Sequence, residues 1–191
     1  MPSTVSVYAG VDLAADPKRT GLATIRDEGE RVVVEDARLG AGDDAIISVV
    51  GGARKTGVDV PFGWPRPFVE HVAAHSAGTL GSAPDSGPAW RRSMTARRTD
   101  AVVRERFGLV PLSVSADRIA HPALRWSVVE ARLRDGGTDC PRDGSGRVCE
   151  VYPAAALRSW GLPFRGYKAA DAQAVREGIV EKLGGVVDWN G

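Results

Sequence analysis

Short runs of apolar and β-branched residues, separated by turn signals, fill the first forty residues. They cover Val5–Leu13, Gly21–Arg26 and Val32–Leu39, and the polar run Asp27–Glu30 separates the last two. Runs of this length and composition, bounded by turn residues, are typical of strands. Because the runs follow one another closely, we expect a three-stranded antiparallel meander.

A helix and a fourth strand follow the meander. Asp43 and Asp44 precede the apolar run 45–50, which Gly51 and Gly52 end. Acidic residues favour a helix N-terminus and glycine favours its end, so this pattern predicts a short helix. The run Thr56–Pro61 predicts a fourth strand. Since a strand reached through a crossover helix lies parallel to a strand already in the sheet, the pattern predicts a mixed sheet and an α/β fold.

The remaining chain alternates predicted helices with polar loops. Helices are expected at Pro65–Ala77, Arg97–Phe107, Pro122–Arg134 and Ala169–Leu183, and a fifth strand at Arg147–Tyr152. The longest loops are Ser76–Pro88 and Asp135–Gly146, both rich in glycine and polar residues. The expected architecture is therefore one domain over residues 1–191, with a five-stranded sheet flanked by helices.

Composition narrows the class of protein. The chain has 191 residues, of which 43% are hydrophobic and 26% charged, as in an ordinary globular domain. Its net charge of +1 provides no global attraction for nucleic acid or a membrane, so any basic surface must be local. No apolar run approaches the ~20 residues that span a bilayer. The N-terminus also lacks the layout of a signal peptide, which predicts a cytoplasmic protein with no membrane partner.

Three acidic residues lie inside predicted strands. Asp12 comes late in the first strand, Asp59 ends the fourth, and Glu150 lies within the fifth. A carboxylate in an apolar strand costs several kcal/mol unless it is paired or binds a metal. Parallel neighbouring strands bring their carboxyl ends together, and hard cations such as Mg²⁺ or Mn²⁺ take oxygen ligands. The sequence therefore predicts a metal site; the alternative is that each acid pairs with a nearby arginine.

Arginines are concentrated in one segment. Residues 91–106 contain six arginines against two acids, Asp100 and Glu105. On a helix that starts near Arg97, Asp100 and Arg104 are spaced to form an i,i+4 ion pair. Guanidinium groups bind phosphate in a bidentate manner, so the segment predicts a phosphate clamp, to which Lys168 is a further candidate. The alternative is a solvated, salt-bridged helix face.

Six short motifs, in order, resemble the domain-of-unknown-function family 429 (DUF429). They are Gly10–Ala14 (GVDLA), Gly21–Ala23, Val58–Pro65 (VDVPFGWP), Arg98–Asp100 with Arg104, Glu150–Pro153 (EVYP) and Gly166–Lys168 (GYK). Members of this family are regarded as predicted nucleases with a ribonuclease H-like fold. The resemblance implies a five-stranded mixed sheet, three antiparallel strands and then two parallel ones, with flanking helices.

The resemblance also implies roles for individual residues. Asp12 and Asp59 would be the central metal ligands and Glu150 the third acid, together holding two Mg²⁺ or Mn²⁺ ions ~3.5–4 Å apart that act on a phosphodiester. All three acids would be catalytic. On the resulting hypothesis of a nuclease, the substrate-binding residues are Arg98, Asp100, Arg104 and Lys168, and the partner is nucleic acid.

One expected feature is missing from the sequence. Ribonuclease H-like sites end with another acid on a C-terminal helix, and the residues that close this sequence, Val187–Gly191, contain no such acidic helix. We therefore expect a domain without the usual last helix, and Asp171 or Asp188 as substitutes for its acid. A non-catalytic member that binds nucleic acid or a partner is an alternative, and its uncovered sheet would favour a homodimer.

The first motif permits one further alternative. The run Gly10–Ala14 ahead of a hairpin also resembles the phosphate loop of actin-like ATPases and sugar kinases. Those enzymes need two such lobes with a nucleotide between them. A second loop of this type does not occur in the sequence, which disfavours this alternative.

Overall fold

The computed structural model describes residues 5–82, 86–115 and 117–189. Within them, six strands form one mixed sheet: β1 (Ser6–Asp12), β2 (Gly21–Asp27), β3 (Val32–Leu39), β4 (Lys55–Asp59), β5 (Val148–Glu150) and β6 (Asp188–Trp189). The α-helices are α1 (Asp43–Gly52), α2 (Arg66–Ser76), α3 (Pro88–Thr95), α4 (Arg98–Phe107), α5 (Asp117–Asp135), α6 (Pro153–Ser159) and α7 (Gln173–Leu183). A short 3-10 helix, Pro17–Arg19, joins β1 to β2.

The strand order across the sheet is β5-β4-β1-β2-β3-β6. Strands β1, β2 and β3 form an antiparallel meander, and β4 and β5 add to β1 in parallel. Helix α1 is the crossover between β3 and β4. This arrangement confirms the predicted α/β class and the predicted mixed sheet flanked by helices.

The sheet has six strands and not the predicted five. The extra strand, β6, has two residues that pair in parallel with Val33 and Val34 at the edge of the sheet. The Arg31 side chain binds the Asp188 carboxylate at the same place. A two-residue strand has no apolar periodicity, because its existence depends on a distant pairing partner, so the sequence pattern could not predict it.

The main core lies between one face of the sheet and helices α1 and α5. Val11 and Val58 from the strands pack there with Ile46 of α1 and Trp126 of α5, all at most 3% exposed. The Phe62 ring stacks on Trp126 with centroids 4.7 Å apart. Successive side chains of a strand point to opposite faces. The residues that follow Val11 and Val58 therefore point away from this core, and those residues are aspartates.

Helices α4, α6 and α7 form smaller clusters beside the carboxyl ends of β4 and β5. Val103 of α4 packs against Ala155 of α6, and Leu157 of α6 packs with Ile179 of α7. Helix α4 ends at Gly108, which has a left-handed conformation (φ +57°) that glycine adopts without strain. These clusters fix the elements that surround the strand ends.

Four helical features differ from the prediction. Helix α5 begins five residues before the predicted Pro122 and runs through this proline, and α7 begins at Gln173 and not at Ala169. Helices α3 and α6 were not predicted; they have only eight and seven residues, and α3 contains no buried residue. Residues 83–85 of the predicted loop Ser76–Pro88 lie outside the described residues. Among the described helices, none has both the length and the apolar content that crossing a membrane requires.

Candidate functional site

Asp12 and Asp59 lie side by side at one end of the sheet. They are the last residues of β1 and β4 and are register partners in the parallel ladder. The strand alternation points both carboxylates away from the main core, as described above. The structure therefore brings together two of the three acids that the sequence analysis selected.

The Lys168 ammonium lies between these two carboxylates. Its Nζ is 3.3 Å from Oδ2 of Asp59 and 3.6 Å from Oδ2 of Asp12. Lys168 belongs to the irregular segment between α6 and α7. Arg176 of α7 holds that segment, because its Nη1 donates to the carbonyl oxygens of Tyr167 (2.9 Å) and Ala169 (2.8 Å). The two carbonyls that flank Lys168 are thus tied to a helix.

The electrostatics of this group favour a retained positive charge. Burial raises the pKa of Asp59, the Lys168 ammonium opposes the rise, and the neighbouring Asp12 adds to it. For Lys168, burial alone would lower the pKa, but the attraction of Asp59 and Asp12 outweighs burial and the pKa is raised. With both carboxylates ionised, two negative charges and one positive charge leave this end of the sheet with a net charge of −1.

Glu150 is engaged elsewhere. Its Oε2 accepts a hydrogen bond from the Phe62 backbone N–H (3.0 Å) and one from Nη1 of Arg97 (2.8 Å). The register partner of Glu150 is Val58, one residue before Asp59. Partners in a parallel ladder point to the same face of the sheet, and the neighbours Val58 and Asp59 point to opposite faces. The Glu150 side chain therefore leaves its strand on the face opposite to that of Asp59. For this acid the structure shows the arginine pair that the sequence analysis gave as the alternative.

The predicted ion pair between Asp100 and Arg104 is wrong. Asp100 instead accepts from the backbone N–H of Arg97 (2.8 Å) and from its Nη2 (2.7 Å). Asp100 lies in the first turn of α4, where free backbone N–H groups attract a carboxylate. The Asp100 carboxylate therefore binds Arg97, just before the helix, and not Arg104, one turn later. Arg104 is exposed and forms no ion pair with any described residue.

An open cavity of about 810 Å³ lies over the strand ends. Asp12, Asp59 and Glu150 line it together with Asp100 and Lys168, which were also predicted site residues. Three further cations line it: Arg19, Arg97 and Arg118. The apolar part of its wall includes Val103, Phe107 and Tyr152.

Two predicted phosphate-binding residues lie outside this lining. Arg98 and Arg104 are exposed on α4, whose residues Asp100, Val103 and Phe107 face the cavity. The sequence analysis missed Arg97, although its spacing of three residues before Asp100 at a helix start was a usable signal. Arg19 and Arg118 had no local signal, since only the tertiary fold brings them to the cavity.

The two acids proposed as substitutes for a C-terminal acid do not join the site. Asp188 on β6 pairs with Val33, at the end of the sheet where β1 begins, whereas Asp12 is where β1 ends. Asp171 is exposed and is not among the residues that line the cavity. The expectation for Asp188 is therefore wrong, because β6 runs along the far edge of the sheet.

The donor set at the strand ends limits what metal it can hold. Among the described residues, no group of three or more His, Cys, Asp or Glu side chains is placed to bind a metal ion. Asp12 and Asp59 remain as oxygen donors. Mg²⁺ is commonly bound by one or two carboxylates, with water and substrate phosphate completing its shell. The two aspartates fit that kind of open site, and Glu150 is not part of the donor set.

Comparison with known proteins gives one match. Residues 10–189 match the family described as "Protein of unknown function (DUF429)", a range that includes Asp12, Asp59, Glu150 and Lys168. No curated protein and no solved structure matches the chain. Since the match covers nearly the whole sequence, the chain belongs to the DUF429 family.

Proposed function

We propose that this protein is a metal-dependent nuclease of the ribonuclease H-like kind, which hydrolyses phosphodiester bonds. The observation that carries the proposal is the placement of Asp12 and Asp59 as register partners at the carboxyl ends of adjacent parallel strands. Both carboxylates line a cavity that also contains arginine and lysine side chains. Acidic side chains for a cation and basic side chains for phosphate are the two requirements of this chemistry.

The topology supports the proposed fold. An antiparallel meander followed by two parallel strands is the strand sequence that the resemblance to predicted nucleases implied. In that arrangement the first strand is central, with β4 on one side and β2 on the other. Asp12 therefore lies at the end of a central strand, beside Asp59.

Each side chain has a distinct role in the proposal. Asp12 and Asp59 would hold Mg²⁺ or Mn²⁺, which polarises a phosphoryl oxygen and lowers the pKa of a bound water. Lys168, which already faces both carboxylates, neutralises charge on a phosphate that enters the cavity. Arg19 and Arg118 line the same cavity and provide further phosphate contacts.

The exposed arginines of α4 extend this binding surface. Arg98 and Arg104 lie beyond the cavity, on the helix whose other face lines it. We propose that they contact the backbone phosphates next to the one being hydrolysed. Such contacts position a nucleic acid without reading its sequence, and they weaken as salt rises. Their positive charge would provide the local attraction for nucleic acid that the net charge of +1 does not provide.

A cleavage assay tests the proposal. Single-stranded and duplex RNA and DNA are incubated with the protein in Mn²⁺ or in EDTA, with Asp12→Asn as the test variant. Asp44→Asn is the matched control, because Asp44 is 89% exposed on α1, where it pairs with Arg132 away from the cavity. We expect cleavage by wild type and Asp44→Asn in Mn²⁺ alone, and a loss of about a hundredfold or more in Asp12→Asn. Equal cleavage by both variants would refute the proposal.

A second candidate function is nucleic-acid binding without cleavage. The observation that favours it is the engagement of Glu150 by Arg97 and the Phe62 N–H, which removes the third acid from the cation site. This candidate predicts binding that weakens with salt and survives in Asp12→Asn, and no cleavage under any metal condition. The same protein samples therefore separate the two candidates.

A further inference from the structure

Lys168 places a positive charge between the two candidate metal ligands. Resting on the proposed function, we infer that the Lys168 ammonium replaces one of the two divalent cations of a ribonuclease H-like centre, so that this site binds a single divalent ion. The ammonium bridges Asp12 and Asp59 at 3.6 and 3.3 Å. Lys168 lines the same cavity as both aspartates.

The charges at the strand ends carry one divalent ion and not two. Asp12, Asp59 and Lys168 together have a net charge of −1, so one divalent ion brings the group to +1. A second ion would raise the group to +3, because Glu150 is paired with Arg97 at 2.8 Å and so adds no net negative charge. Repulsion between closely spaced cations in a partly buried site therefore disfavours the second ion.

The protein holds Lys168 in this place by a specific contact. Arg176 donates to the carbonyl oxygens of Tyr167 and Ala169, on either side of Lys168. The Tyr167 side chain packs against the apolar cluster of Leu157, Leu162 and Ile179. The lysine backbone is therefore fixed to α6 and α7, which makes Arg176 a positioning residue for the ammonium.

A Mn²⁺ titration tests the inference without reference to catalysis. Calorimetry and the electron paramagnetic resonance of free Mn²⁺ give the stoichiometry and affinity for wild type, Lys168→Met and Arg176→Met. Lys182→Met is the matched control, because Lys182 is an exposed lysine at the end of α7 and outside the cavity lining. We expect one ion per wild-type chain and affinity about tenfold tighter in Lys168→Met, because the competing positive charge has gone.

The remaining variants sharpen the result. Arg176→Met frees the lysine segment, so we expect an affinity between those of wild type and Lys168→Met, whereas Lys182→Met should match wild type. Two ions per wild-type chain would overturn the inference and leave the proposed function standing. Unchanged or weaker affinity in Lys168→Met would also overturn it. No Mn²⁺ binding by wild type or Lys168→Met would remove the metal-dependent function itself, and the inference with it.

Discussion

Two clusters at the same end of the sheet have the same formal charges and opposite character. The open cluster consists of Asp12, Asp59 and Lys168, and the closed cluster of Glu150, Asp100 and Arg97. Each combines two acids with one base. In the open cluster the side chains of Asp12 and Lys168 are 64% and 58% exposed and that of Asp59 is 20% exposed, whereas in the closed cluster no side chain exceeds 18%.

The difference follows from the base and from burial. Arg97 presents a planar guanidinium that reaches both of its acids at 2.7–2.8 Å, whereas the Lys168 ammonium is 3.3–3.6 Å from its acids. A guanidinium has five donors in a fixed plane, and an ammonium is a compact charge that exchanges partners easily. The closed cluster therefore stabilises the fold, and the open cluster leaves its carboxylates accessible to a divalent ion beside the ammonium.

Removing the base of the closed cluster should have the largest effect on stability. Arg97→Met leaves two carboxylates of low exposure without their cation, so we expect a loss of about 3–5 kcal/mol in the free energy of unfolding. Urea denaturation measures it. The control is Arg98→Met, one residue along and exposed, for which we expect a change within about 0.5 kcal/mol. A loss below about 1 kcal/mol in Arg97→Met would show that the closed cluster is not structural.

Neutralising one acid in each cluster should give the next largest effect on stability and should distinguish the two clusters. Glu150→Gln weakens hydrogen bonds from a charged guanidinium and from the Phe62 N–H, so we expect a loss of about 1.5–3 kcal/mol in the free energy of unfolding. Asp59→Asn removes a carboxylate whose pKa burial raises, so its loss should be well below that of Glu150→Gln. Paired denaturation curves in EDTA give both values. Equal losses in the two variants would contradict the contrast between the clusters.

The sequence predicted the open cluster better than the closed one, for a reason that lies in the strand register. The crossover through α1 made β4 parallel to β1, and both strands end on an aspartate, so the proximity of Asp12 and Asp59 could be foreseen. The fifth strand was also foreseen, but its register was not. The register partner of Glu150 is Val58 and not Asp59. A difference of one residue in register places a strand side chain on the opposite face of the sheet.

The elements and contacts that surround the strand ends were harder to predict from the sequence. Helices α3 and α6 have eight and seven residues and β6 has two, which is too few for a periodic apolar pattern to identify them. Lys168 was predicted as part of a phosphate clamp, and its contact with both aspartates depends on Arg176 and on the packing of Tyr167. These are tertiary contacts between segments distant in sequence, which local patterns do not encode.

Removing the base of the open cluster should cost far less stability than removing Arg97. Lys168 and Asp12 are both more than half exposed, and solvent-exposed ion pairs contribute about 0–1 kcal/mol. We therefore expect Lys168→Met in EDTA to unfold within about 1 kcal/mol of wild type. Lys182→Met serves as the reference for loss of a lysine from the surface. A loss as large as that of Arg97→Met would place Lys168 in the structural framework and contradict the contrast between the two clusters.

The smallest expected effect is a pH dependence that belongs to Asp59. Burial raises its native pKa above the ordinary pKa of 3.8, against the opposing attraction of Lys168. At a pH between these two values the folded protein binds more protons at this residue than the unfolded chain, so wild-type stability falls as the pH rises. Asp59→Asn lacks this proton, and its stability relative to wild type should therefore increase from pH 3.8 upward and become constant above the native pKa. Urea denaturation of both proteins in EDTA measures the difference at each pH. A difference that changes in the opposite direction would mean that the attraction of Lys168 outweighs burial, and the open cluster would then be a tightly held ion pair like the closed one.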